Sequence, residues 1–146
     1  MPALAVSITT GTDSGVASTF LTSTPITPPA GPANPTFQAH YIYVTPPPLN
    51  FSQDRDLKHY QEATSTNPLP SFPPAGGTSC VVLDYPPNPT GAEGKLHRTQ
   101  TLDYIFILEG MLECSLDSGE KRIFQRGDVI VQRASMRESG YGPRIS

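Results

Sequence analysis

The chain has 146 residues, of which 36% are apolar and 16% charged, and its formal charge is −3. That length suits one hydrophobic core and is short for two. The acidic balance gives no general attraction to nucleic acid or to an anionic surface, and no run approaches the ~20 apolar residues of a membrane span.

Seventeen prolines and twelve glycines make up about a fifth of the chain, which disfavours long helices and favours an all-β protein with many turns. The N-terminus has neither a basic start nor a sustained apolar run, so it does not read as a signal peptide, and a cytoplasmic location is the expectation. Residues 1–36 are rich in Thr, Ser, Ala and Pro. Pro25, Pro28, Pro29, Pro32 and Pro35 exclude regular structure from 25 to 36, which leaves an extended arm or disorder. A domain is expected to follow over 37–146.

Residues 38–45 are β-branched and aromatic and end at three prolines, so they predict a strand. Residues 54–62 mix charges with Leu57 and Tyr60 and predict a helical turn. A further strand is expected over 78–85, closed by Pro86, Pro87 and Pro89. Cys80 and Cys114 sit in apolar strand-like runs and read as free buried thiols, not as a disulfide framework.

The pattern then becomes regular. Strands are predicted over 102–108, 111–116, 121–124 and 128–132, separated by turns at Glu109-Gly110, residues 117–120 and Arg126-Gly127. Short strands at such spacing suggest an antiparallel barrel or sandwich. If the strand from 97 runs unbroken, His97, Thr99, Thr101, Asp103, Ile105 and Ile107 share one side. Leu102, Tyr104, Phe106 and Leu108 share the other. Both sides are apolar near the turn, which predicts burial on both: one filling a barrel, the other covered by the proline-rich arm or a second subunit.

One constellation carries chemistry. Gly91 stands six residues before His97, Asp103 six after it, and Gly110 seven after Asp103. Imidazole and carboxylate an even number of steps apart on one strand converge on one face, where both suit a divalent metal. This layout resembles the first cupin motif, and the run from Arg126 to Arg133 resembles the lead-in to the second. The segments HRTQTLDY, LEG and GDVIVQR are most similar to small fungal cupins, some encoded beside polyketide synthases and described as cupin-domain oxidoreductases. The likeness extends from about residue 8 to 137 and is strongest over 91–133.

The resemblance implies a single jelly-roll-like antiparallel β-barrel and an oxidoreductase of fungal secondary metabolism. Its substrate would be a small molecule, an aromatic or polyketide intermediate. His97 and Asp103 would be both catalytic residues and ligands to Fe, Mn, Ni, Cu or Zn, and a homodimer would follow by analogy. Thr99 replaces the motif's second histidine, as is usual in the fungal group, and Asp103 replaces its glutamate. The last histidine would fall near Arg137, and a guanidinium does not ligate metals. His97 has the alternative of a hydrogen-bonded residue at a barrel mouth. Asp103 has that of a turn cap or of an ion pair with Arg98 or Arg133.

Residues 137–146 carry no apolar alternation for closing strands. The barrel is therefore expected to be incomplete at its C-terminus, as in a truncated chain, or else closed by a partner or the N-terminal arm. A non-catalytic cupin that binds small molecules or serves assembly is the alternative function.

Overall fold

A computed structural model describes residues 6–10, 19–20, 30, 37–65, 75–87, 97–134 and 136–140. Most of the proline-rich arm, Gly91 and residues 141–146 lie outside them. The chain divides into two compact units, Met1–Asp84 and Tyr85–Ser146.

In the first unit, β1 (Thr9–Thr10) pairs with β2 (Thr19–Phe20), and β3 (Gln38–Thr45) pairs antiparallel with β4 (Thr78–Asp84). Ala30 makes a single antiparallel bridge to His40. The β3–β4 ladder is interrupted: Tyr41 faces Val81 and Tyr43 faces Cys80, so Ile42 is an extra residue. A bulge of this kind reverses the side-chain alternation. That is how Tyr41 and Val44, three residues apart, are both buried, at 5% and 2% exposure.

After a 3-10 turn at Ser52–Asp54 comes the helix α1 (Arg55–Ser65). Asp56 in its first turn suits the positive end of the helix dipole. At the other end, the hydroxyls of Thr64 and Ser65 donate to the carbonyls of Tyr60 and Glu62 at 2.7 and 2.8 Å, and Pro68 forbids continuation. Leu57 and Tyr60 lie three apart, on one face. Tyr60 docks the helix on β3: its hydroxyl donates to the Tyr41 carbonyl at 3.1 Å, and its ring centroid lies 4.8 Å from that of Tyr43. The core holds Ala39, Tyr41, Val44 and Tyr60, with Ile8, Phe37, Tyr43, Leu57, Val81 and Leu83 packed against it.

The hydroxyl of Tyr43 donates to Asp56 Oδ2 at 2.7 Å. Burial first, and then the neighbouring carboxylate, raise the Tyr43 pKa above the ordinary value. Because the folded-state pKa is the higher one, this stabilisation is complete below the unfolded value of about 10 and is lost as pH rises beyond it. Denaturation midpoints of the wild type should therefore hold up to about pH 10 and fall progressively as the pH rises above it. Tyr43→Phe should flatten part of the fall, while Tyr41 and Tyr60, also raised by burial, retain the remainder.

The second unit contains β5 (His97–Arg98), β6 (Leu102–Phe106), β7 (Met111–Leu116), β8 (Lys121–Gln125), β9 (Val129–Arg133) and β10 (Met136–Gly140). One antiparallel sheet has the order β5-β10-β7-β8, and β6 pairs with β9 as a separate ribbon. Tight turns join them. At the β8–β9 turn Gly127 adopts φ +94, where a side chain would be strained. Asp128 stabilises that reversal by accepting the Gln125 N–H on Oδ2 at 2.7 Å.

The expectation of a jelly-roll barrel is not met. Among the described residues the strands form one four-stranded and three two-stranded sheets, none closed on itself. A barrel needs every strand hydrogen-bonded on both edges. Here β5, β6, β8 and β9 each have one strand neighbour. The described fold is mostly β with one short helix. Residues 136–140, which lack apolar alternation, nevertheless form β10, and they do so in the interior of a sheet. Ladder pairing joins backbone groups and does not demand an apolar face.

Two further corrections concern burial. Cys80 is exposed on β4, and only Cys114 is a buried free thiol. Leu102, Tyr104, Phe106 and Leu108 are 56–64% exposed, so burial of that side is not met within the single chain.

Candidate functional site

The candidate residues lie where β5 gives way to β6. Backbone pairing sets His97 opposite Arg137 and Arg98 opposite Met136. The side chains of these four residues lie outside the described part of the structure. Arg137 thus meets the His97 position in register, on the strand that the motif assigns to its final histidine.

Asp103 stands on β6 opposite Gln132 of β9. Directly opposed residues share a face, with Cβ atoms about 4.5–5.5 Å apart. Both belong to the inward side: Thr101, Asp103 and Ile105 are half-buried, Ile107 is buried, and Gln132 is only 5% exposed. The Gln132 amide donates to Thr99 Oγ1 at 3.4 Å, the long end of a hydrogen bond. The Ala134 N–H donates to the Thr101 carbonyl at 3.1 Å, so residues 99–101 are tied to the end of β9 at two points. Thr99, Thr101, Asp103 and Gln132 therefore make this end of the inward face polar, while Ile105, Ile107 and Ile130 make it apolar towards the turn.

Gln132 is the member that motif matching misses. The signal was available in the run Val129-Ile130-Val131-Gln132, where alternation puts the glutamine in phase with Ile130, on the buried side. A carboxylate, an amide and a hydroxyl so placed can orient a small polar molecule, and the carboxylate can take up or return a proton.

A divalent metal would draw its protein ligands from His97 and Asp103. Among the described residues, no group of three or more His, Cys, Asp or Glu is arranged to hold one. Stable transition-metal sites use three or four protein ligands. Of the two candidate ligands only Asp103 has a described side chain, so the described residues do not by themselves make a metal site.

In the first unit, a shallow cavity of about 220 Å³ is lined by Pro46, Pro48, Asn50, Arg55 and Asp56. It falls below the roughly 300–1,000 Å³ of typical small-molecule pockets. No helix among the described residues is long and apolar enough to cross a membrane.

No family model matches the chain. It is similar to curated fungal proteins. Phomopsin biosynthesis cluster protein C' of Diaporthe leptostromiformis is 37% identical over 124 residues, covering 84% of this chain and 63% of that protein. The cupin-domain-containing oxidoreductase srdD of Neurospora crassa is 40% identical over 88 residues, 60% of this chain and 41% of the relative. The cupin-domain-containing oxidoreductase virC of Hypocrea virens is 39% identical over 98 residues, 66% of this chain and 46% of the relative. The chain thus spans less than two thirds of the length of these relatives.

Proposed function

We propose that this chain, a homologue of the fungal cupin-domain oxidoreductases of secondary-metabolite biosynthesis, acts at an oxidation–reduction step on a small aromatic or polyketide intermediate. The similarity to the Neurospora and Hypocrea oxidoreductases carries the reaction class. Relatives in phomopsin and oryzines biosynthesis clusters carry the metabolic setting. The half-buried Asp103, flanked by Gln132 and Thr99, supports the placement of the reacting end at β5–β6. Asp103 and His97 are the proposed catalytic residues. In this reading Asp103 takes up the substrate's proton, the electron pair passes to an external two-electron acceptor such as dioxygen, and Gln132 and Thr99 orient the substrate's polar groups.

The test is disruption of the gene with metabolite profiling. A lost product, with accumulation of a precursor differing by one two-electron oxidation, is expected. An unchanged profile would count against an enzymatic role.

The pairing of Arg137 with His97 favours a second reading, a non-catalytic module that binds small acids. A guanidinium cannot ligate a metal but matches a carboxylate with two parallel hydrogen bonds. Under this reading the metabolite profile is unchanged and small carboxylic acids raise the melting temperature.

A further inference from the structure

We infer that the cavity at the start of α1 binds a small aromatic α-amino acid, a role beyond the chemistry proposed at Asp103. The cavity belongs to the first unit, and Pro46, Pro48, Asn50, Arg55 and Asp56 line its volume of about 220 Å³. An apolar cavity of about 150 Å³ holds one benzene molecule. This one therefore suits a single six-membered ring with a short substituent.

The lining is held in place from beneath. Asp56 Oδ2 accepts the Tyr43 hydroxyl at 2.7 Å, and the Tyr43 ring packs on the buried Tyr60. Asn50 Oδ1 accepts the Ser52 N–H at 2.9 Å, which sets the orientation of its amide. The pyrrolidine rings of Pro46 and Pro48 are rigid and apolar, and they lose no rotamer freedom when a ring is laid against them.

These bonds leave a definite set of groups for a ligand. Asn50 keeps both Nδ2 hydrogens and Asp56 keeps Oδ1. The exposed Arg55 guanidinium has no hydrogen bond or ion pair among the described residues. The donors of Arg55 and Asn50 match a carboxylate, which Arg55 can hold through two parallel hydrogen bonds. The Asp56 carboxylate matches an ammonium. Both charges come from consecutive residues around one small cavity, so the fitting ligand carries both of its own close together. A simple aromatic acid would set its carboxylate against Asp56, and an aromatic amine would set its ammonium against Arg55. A zwitterion with one carbon between its charges and a ring attached meets every group. Its ring lies against the prolines, and its ionic end stays at the mouth, where Arg55 is exposed.

L-Phenylalanine is the probe, titrated into the full chain and followed by amide NMR. The Asn50 side-chain amide and the backbone amides of Arg55 and Asp56 should shift together and saturate. The dissociation constant should be on the order of 1 mM or tighter, as about twelve ligand atoms allow. L-Alanine, which lacks the ring, should bind about tenfold more weakly or worse. Hydrocinnamate lacks the ammonium and phenethylamine the carboxylate, and each should bind about threefold to fivefold more weakly. Arg55→Gln should weaken phenylalanine by a similar factor of about threefold to fivefold and remove its advantage over phenethylamine. Asp56→Asn, whose amide oxygen can still accept the Tyr43 hydroxyl, should remove the advantage over hydrocinnamate. Thermal melting confirms that the variants fold, and Arg55→Gln, at an exposed position, decides the question if Asp56→Asn does not. Shifts at these amides that do not saturate by about 10 mM overturn the proposal. So do equal affinities for phenylalanine and the three partial ligands, or a folded Arg55→Gln protein that binds phenylalanine as well as wild type.

Discussion

Tyr60→Ala is expected to destabilise the first unit by about 3–5 kcal/mol, the range for deleting a buried aromatic ring. Three interactions are lost together. The ring, 4% exposed, leaves a cavity among Ala39, Tyr41 and Val44. Its packing on Tyr43 disappears, and the hydrogen bond to the Tyr41 carbonyl goes with it. Domains are stable by only about 5–15 kcal/mol, so much of the margin is consumed. For a unit of this size the melting temperature should fall on the order of 15–30 °C. Tyr60→Phe separates the terms: it keeps the ring and should cost only about 1 kcal/mol. Thermal denaturation followed by circular dichroism reads both. A Tyr60→Ala protein melting within a few degrees of wild type would mean that α1 does not depend on this residue to dock on β3.

The second large effect concerns the proposed chemistry. On the proposed reading, Asp103→Asn should lower turnover about 100-fold or more, since a positioned acid–base group contributes roughly 10²–10⁴. The substitution is nearly isosteric, and Asp103 is only half-buried on a ribbon held by its backbone ladder. Stability should therefore change little. Loss of turnover with an unaltered melting temperature assigns the effect to chemistry, whereas equal losses of both would make Asp103 a structural residue. The assay follows consumption of the precursor that accumulates when the gene is disrupted.

Local structure was largely legible in the sequence. The predicted strands at 38–45 and 111–116 coincide with β3 and β7, those at 78–85 and 121–124 differ from β4 and β8 by one residue at one end, and that at 128–132 is shifted by one residue from β9. The strand predicted to run to 108 ends at Phe106. The helical turn expected over 54–62 is an eleven-residue helix, because Tyr60 gains burial that raw propensity does not see. What failed was the step from strands to architecture. The barrel was inferred from family likeness, and alternation names a strand's faces without naming its neighbours. β10 escaped detection for the related reason that its support is the two backbones beside it, not an apolar pattern of its own. The candidate site was legible in part. Spacing marked His97 and Asp103; alternation could place Gln132 on the buried side, but only cross-strand register sets it opposite Asp103.

The position of β10 also orders events in time. A ribosome delivers β5 and β7 well before residues 136–140, yet β10 lies between them. Until it emerges, β5 has no partner among the described strands, and β7 is paired on one side only, with β8. The β7–β8 hairpin can close as soon as it is made, since its contacts are local. The His97 position, by contrast, gains its hydrogen-bonded neighbour only when Arg137 arrives forty residues later. The nascent chain therefore carries a finished hairpin and an unfinished site side by side, and a synthesis stall within that interval would yield protein with its turns in place and its chemistry unassembled.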